Sequence, residues 1–262
     1  MSNLSFSEVK QLYKEYSPLK SECTLLDILY NINSDAYYSL NNTPVREYIT
    51  RTIYKKYPNE AALKSAFIYK KLARSTTAIS VFELPIGNSR VDLCMINGSS
   101  HAYEIKTDFD NLKRLDKQLF DYKQVFEYIY VICSNNKLQE TVDTVTSDIG
   151  IIYYSHKNCN YSFHTYRKPQ ISSSVSPYVQ LNALSDHELN RIISKHSLNV
   201  NSDIDELVNS LGAQQINKEF KDAIKKRYQY QWLFLKKYKD KISIIDYQFF
   251  FKNCIEPSNV YQ

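Results

Sequence analysis

Glycine is scarce in this 262-residue chain: Gly87, Gly98, Gly150 and Gly212 are the whole supply. Neither the GxxxxGK[ST] nor the GxGxxG phosphate loop can be assembled from them, which argues against ATP or NAD chemistry of those types. Tryptophan occurs once, so much of the core must come from the 23 Tyr and 12 Phe, with tyrosine hydroxyls reaching polar edges. The cysteines Cys23, Cys94, Cys133, Cys159 and Cys254 are odd in number and widely spaced, with no CxxC pair. That pattern speaks against a disulfide framework and against a zinc site, and it fits a reducing cytoplasm. No apolar run approaches the roughly 18 residues of a membrane span, and the opening MSNLSFSEVK has no apolar signal core, so neither a membrane nor a secretory route is expected. The five histidines lie apart in no ligand pattern and read as structural.

What is present describes a globular chain, 43% hydrophobic and 23% charged, with a net charge of +5 that is compatible with a polyanionic partner. Residues 1–58 carry apolar positions at helical spacing, such as Val9, Leu12, Tyr13 and Tyr16, and read as a helical N-terminal extension. Asn59 is placed to cap a helix over NEAALKSAFIYKKLAR, with Glu60 in its first turn. The period then changes to that of strands in AISVFEL, RVDLCMI and HAYEIKT. A helix capped by Asp110, a buried strand YIYVICS, a short helix near 137–146, and strands GIIYYS and YSFHTY follow. The fold class is therefore α/β, a mixed sheet flanked by helices, with its core over 59–167. A Pro/Ser-rich connector over 168–177 leads to a helical C-terminal region, 178–262. Its segment KEFKDAIKKRYQYQWLFLKKYKDK interleaves Lys225, Lys226, Arg227, Lys236 and Lys237 with Tyr228, Tyr230 and Trp232. That mixture suits phosphate contact and base stacking, and equally a solvated helix face with its aromatic residues turned inward.

The stretch from Arg90 to Tyr122 concentrates the chemistry. Glu104 and Lys106 are two residues apart, so on a strand their side chains share a face. Asp92 joins them only in the right hairpin register, because a slip of one residue turns a whole strand over. A two-residue turn at Asn97-Gly98 would set Asp92 against Tyr103 and turn Glu104 away from it. A loop of three or five residues with Gly98 in a left-handed conformation keeps Asp92 and Glu104 together, so an odd-length loop is predicted.

The order helix, three strands, helix, strand, with Val91-Asp92 on the second strand and Glu104-Ile105-Lys106 on the third, resembles the PD-(D/E)XK nuclease superfamily of restriction-endonuclease-like folds. The proline that precedes the aspartate in that pattern is absent here. Gln118 and Tyr122 match the QxxxY motif of the RecB-type and exonuclease-like branch. Residues 83–134 also resemble a bacterial family bearing EL, RxD, NG, EIKxDxDxLxRL and QxxxY in this order. The resemblance implies a metal-dependent phosphodiesterase, acting on DNA in preference to RNA, with bacterial defence against phage as a setting. It implies Asp92 and Glu104 as ligands of Mg²⁺ (or Mn²⁺), joined by the backbone carbonyl of Ile105. Lys106 would orient or activate the attacking water, and Gln118 and Tyr122 would support the site or face the substrate. An additional acid would come from Glu60 or Glu83, with Glu83 in the better-matching segment. A second copy of the chain or a protein partner is compatible with all of this.

The same charges could instead make an ordinary cross-strand ion pair. Against that stands the cost of clustering charges on strands that look buried on both faces, which calls for compensation such as a metal ion. A reading from another class is a nuclease-like fold that binds nucleic acid or protein without cutting, as an adaptor, regulator or immunity factor.

Overall fold

The computed structural model describes residues 4–72, 78–157, 160–199 and 201–261; Cys159 lies outside them. Five helices open the chain: α1 (Phe6–Glu15), α2 (Glu22–Ile32), α3 (Ser34–Tyr38), α4 (Val45–Lys56) and α5 (Glu60–Leu72). Asn59 accepts a hydrogen bond from the Ala62 amide (3.0 Å), so it caps α5 as its sequence position predicts. Strands β1 (Ile79–Ile86), β2 (Ser89–Asn97) and β3 (Ser99–Lys106) follow as an antiparallel meander. Helix α6 (Leu115–Lys123) then crosses to β4 (Tyr128–Ser134), and α7 (Leu138–Thr144) to β5 (Gly150–Lys157); β4 is parallel to both β3 and β5. With β6 (Asn160–Arg167) the mixed sheet has six strands in the order of the chain. The C-terminal region is helical: α8 (Pro177–Asn182), α9 (Asp186–Lys195), α10 (Ile204–Tyr238), α11 (Tyr247–Asn253) and α12 (Pro257–Val260). Gly212 interrupts α10 with a φ of 70°. Among the described residues no helix is long and apolar enough to cross a membrane.

By compactness the chain divides into two units that do not follow linear segments. Residues 1–75, 155–162 and 233–262 make a helical unit, and residues 76–154 and 163–232 make a sheet unit. Residues 168–176 have no helix or strand, yet they are stitched down rather than loose. The amides of Gln170, Ser172 and Ser176 donate to the carbonyls of Asp148, Glu127 and Gln124 at 2.8–2.9 Å.

In the sheet unit, Leu93, Cys94, Ala102, Val131, Ile132 and Ile151 are buried, each such side chain contributing about 1.5–3 kcal/mol when it is large and apolar. On one sheet face the Tyr103 and Tyr130 rings stack with centroids 5.1 Å apart. Tyr130 continues over Gly150, where a Cβ would stand 2.6 Å from Tyr130 Cδ1 and 2.9 Å from Pro169 Cδ, so no larger residue fits at the start of β5. The loop before α6 departs from expectation. Asp110 does not cap that helix; its carboxylate accepts from the amide and hydroxyl of Thr107, both at 2.7 Å, and closes the turn after β3.

The helical unit is held by a buried polar cluster. The guanidinium of Arg46 donates to the carbonyls of Pro18 and Lys20 and to Glu22, and it lies over the Tyr261 ring, 5.0 Å from the centroid. Tyr16 and Tyr261 both donate to Asp246 Oδ2 at 2.7 Å, the tyrosine-hydroxyl use that the composition requires. Burial pushes the Asp246 carboxyl up to about 6, against the opposing pull of the two tyrosines and of Arg46. A carboxyl whose folded value exceeds its unfolded one supports the fold fully below the unfolded value and loses that contribution as pH rises through about 6. Replacing Asp246 by Asn is therefore expected to leave a stability difference in the variant's favour that grows between about pH 4 and pH 6 and is flat above. Urea unfolding across that range checks it, and a difference that shrinks with pH would contradict it.

Candidate metal centre

The β2–β3 hairpin closes with Ile96 opposite Ser100 and Asn97 opposite Ser99, leaving Gly98 alone between the strands at φ 77°, a tighter connection than the three or five residues expected. The count is odd, and the register on both sides puts Asp92 level with Glu104. On the other flank, Phe82 pairs with Leu93 and Leu84 with Val91, so Glu83 stands level with Asp92. Three adjacent strands thus carry a carboxylate at one height, on one face. The regular pairing stops there: neither Glu83–Asp92 nor Asp92–Glu104 is a ladder pair.

Each carboxylate is engaged differently. Asp92 Oδ2 accepts from the Ile105 amide at 2.7 Å. In a pleated strand the carbonyl of a residue points to the same side as its N–H, so Ile105 directs its carbonyl toward that gap as well. Glu104, 2% exposed, takes Lys106 Nζ on Oε1 and the Tyr122 hydroxyl on Oε2, both at 2.8 Å. Lys106 Nζ also donates to Gln118 Oε1 at 3.0 Å. Gln118, Lys106, Glu104 and Tyr122 form a continuous chain of hydrogen bonds. The spacing of Gln118 and Tyr122 is what makes this possible, since residues four apart lie on one helix face. Burial, followed by the charges of Glu104 and Asp92, raises the Tyr122 phenol further above its ordinary value, so it stays a proton donor. Its oxygen is also 2.8 Å from the Arg90 carbonyl, which ties α6 to β2 as well as to β3.

Glu83 is the unusual member. Its backbone lies in the left-handed region, φ 56°, in the middle of a strand. That conformation costs a non-glycine residue on the order of 1–2 kcal/mol. Its carboxylate is buried within 4.8 Å of an Asp92 carboxylate oxygen and is paired with Arg90. Lys106 pairs with Glu104 and Arg90 with Glu83.

Of the residues singled out in the sequence, Asp92, Glu104, Lys106, Gln118, Tyr122, Glu83 and the Ile105 backbone come together in the sheet unit. Glu60 belongs to the helical unit, in the first turn of α5, where it pairs with Lys64 one turn on. The basic stretch of α10 is divided. Arg227 is drawn inward by Glu188 and the Ala183 carbonyl, and beside it Lys226 is exposed and Lys225 half-buried. Lys236 and Lys237 fall in the helical unit, and Trp232 is buried whereas Tyr230 is exposed. Two residues escaped the sequence reading. Arg90 sits two positions before Asp92 and so on its face, a signal that was available. Lys64 is 1% exposed, and its place one turn from Glu60 in an otherwise apolar stretch was its only sign.

The family model for bacteriophage P4 protein cII matches residues 54–250. The chain belongs to this P4 cII family. Protein cII of Enterobacteria phage P4 is 31% identical over 169 residues, which cover 62% of this chain. The match spans 64% of that relative's length, just under two thirds. Among solved structures, a protein of unknown function from Silicibacter pomeroyi, SPO1766, aligns with 45% of this chain and 79% of its own at 14% identity. Its TM-score of 0.31 is too low to say anything about the fold. The matched span includes Glu83, Asp92, Glu104, Lys106, Gln118 and Tyr122.

If the left-handed backbone at Glu83 is strained, glycine should relieve it where alanine does not. Glu83→Gly is expected to be about 1 kcal/mol more stable than Glu83→Ala in denaturant unfolding; equal stability of the two variants would show that the backbone carries no such cost.

Proposed function

We propose that this protein is a divalent-metal-dependent nuclease of the PD-(D/E)XK type that hydrolyses phosphodiester bonds of DNA. The observation that carries the reading is the register, which sets Glu83, Asp92 and Glu104 side by side and joins Glu104 to Lys106, Gln118 and Tyr122. Further support comes from the order of elements, a helix, an antiparallel meander, a crossover helix and a parallel strand, which is the order expected of a restriction-endonuclease-like core.

The donor set fits a hard divalent cation, since it is built of oxygen atoms alone. Asp92, Glu104 and the Ile105 carbonyl would hold Mg²⁺ or Mn²⁺, and we assign the additional carboxylate to Glu83, which lies beside Asp92 in the same unit. When bound, the ion supplies Lewis-acid activation of water and neutralises charge at the phosphate. The remaining work falls to the chain. Two of the three Lys106 protons are taken by Glu104 and Gln118, which fixes the ammonium and leaves the third for a water or a phosphate oxygen. Gln118 and Tyr122 hold Glu104 and Lys106 in place and exclude other rotamers, so they act by positioning.

Purified protein is expected to degrade linear DNA in the presence of Mg²⁺ or Mn²⁺. Asp92→Ala, Glu104→Ala and Lys106→Ala should each lose on the order of 10²–10³ in rate, while Tyr122→Phe and Gln118→Ala should lose about tenfold or more. Absence of cleavage by the wild type, or equal cleavage by Asp92→Ala and Lys106→Ala, overturns the assignment. Nucleic-acid or protein binding without cleavage would put an adaptor, regulator or immunity factor in its place. Bacterial defence against foreign DNA is the setting we propose. Phage challenge of cells expressing the wild type or Lys106→Ala tests it, with protection expected for the wild type alone.

A further inference from the structure

Arg90 and Glu83 form an ion pair in which the two partners differ in accessibility: the Glu83 side chain is 4% exposed and that of Arg90 is 67% exposed. A guanidinium carries five N–H donors, more than one carboxylate engages, so Arg90 has donors to offer a second anion. By strand alternation Arg90 shares a face with Asp92, and Glu83 stands level with Asp92, its carboxylate within 4.8 Å. An arginine is therefore docked at the rim of the acidic centre and fastened to one of its carboxylates. Glu83 is presented there by a left-handed backbone that only the surrounding sheet can maintain, and strain of this kind clusters at functional sites.

We propose that Arg90 is a phosphate-binding residue held in reserve by Glu83, and that a divalent ion and Arg90 compete for the Glu83 carboxylate. The inference rests on the nuclease reading and adds to it a coupling between metal and substrate. Without metal, the guanidinium offsets the charge of the Glu83 carboxylate. When the ion takes Glu83, Arg90 loses its partner at the moment the site needs a cation for the incoming strand. A planar guanidinium suits that role because it can grip two phosphate oxygens at once. Its exposure makes the exchange cheap, since an ion pair with one partner largely in water is weakly held.

The coupling gives two effects of opposite sign, which a merely structural arginine would not produce. In the full chain, Mn²⁺ binding is measured by calorimetry, and binding of a labelled linear DNA duplex by fluorescence anisotropy with Ca²⁺ in place of Mg²⁺, at several salt concentrations. Arg90→Ala is expected to bind Mn²⁺ several-fold more tightly than the wild type. It should bind the duplex about tenfold more weakly, with the salt slope reduced by about one phosphate contact. Arg90→Lys keeps the charge without the fork and should recover the slope but only part of the duplex affinity. Arg90→Ala that binds Mn²⁺ no tighter, or the duplex equally well, overturns the inference while leaving the nuclease reading intact, provided that Asp92→Ala has lost the ion. A wild type that binds neither Mn²⁺ nor the duplex overturns both.

Discussion

Register is the constraint on which the rest of the site depends. With Gly98 in a left-handed conformation at the tip of the β2–β3 hairpin, Asn97 faces Ser99, and every pair below follows in step. One residue more or fewer in that loop would turn Asp92 to the opposite face of the sheet while leaving the strands themselves intact. The chemistry of the centre is thus determined at a point well away from it, by a residue chosen for its backbone. The β1–β2 pairing continues the same logic, bringing Glu83 level with Asp92 from the other side.

Three neighbouring carboxylates repel one another, and the sheet tolerates them because each is given donors. Asp92 has the Ile105 amide, Glu104 has Lys106 and Tyr122, and Glu83 has Arg90. The donors are arranged in two styles. Around Glu104 they form a largely buried chain, whose members cannot leave without stranding a buried charge. At Glu83 one donor, Arg90, is an exposed side chain that can leave. One side of the centre is rigid and the other is adjustable, and the difference follows from burial alone.

Much of this was legible in the sequence, for reasons that can be stated. Glu104 and Lys106 share a face because strands alternate, Gln118 and Tyr122 share one because helices turn in 3.6 residues, and the apolar content of the strands made their charges conspicuous. The hairpin parity followed from the same arithmetic together with one glycine. Less legible were features that depend on distant parts of the chain. Asp110 has the side chain of a helix cap, but the helix begins only at Leu115, and the Thr107 amide and hydroxyl take its carboxylate instead. Arg227 reads as a surface cation until Glu188, 39 residues earlier, is brought against it. Glu83 looks like an ordinary strand residue, because backbone conformation at a single position leaves no mark in composition.

The interleaving of the two units has a consequence for how the molecule is made. Domains that fold during synthesis ordinarily do so from the N-terminus onward. Here the sheet unit, with its carboxylates, is complete in sequence once residue 232 has been made, whereas the helical unit still waits for 233–262. The helices that precede the sheet in the chain therefore belong to the unit that is completed after it. Tyr16 and Arg46 must wait for Asp246 and Tyr261 before the cluster that holds that unit can close. A nascent chain would in this way hold a shaped acidic centre before the helices ahead of it had found their partners.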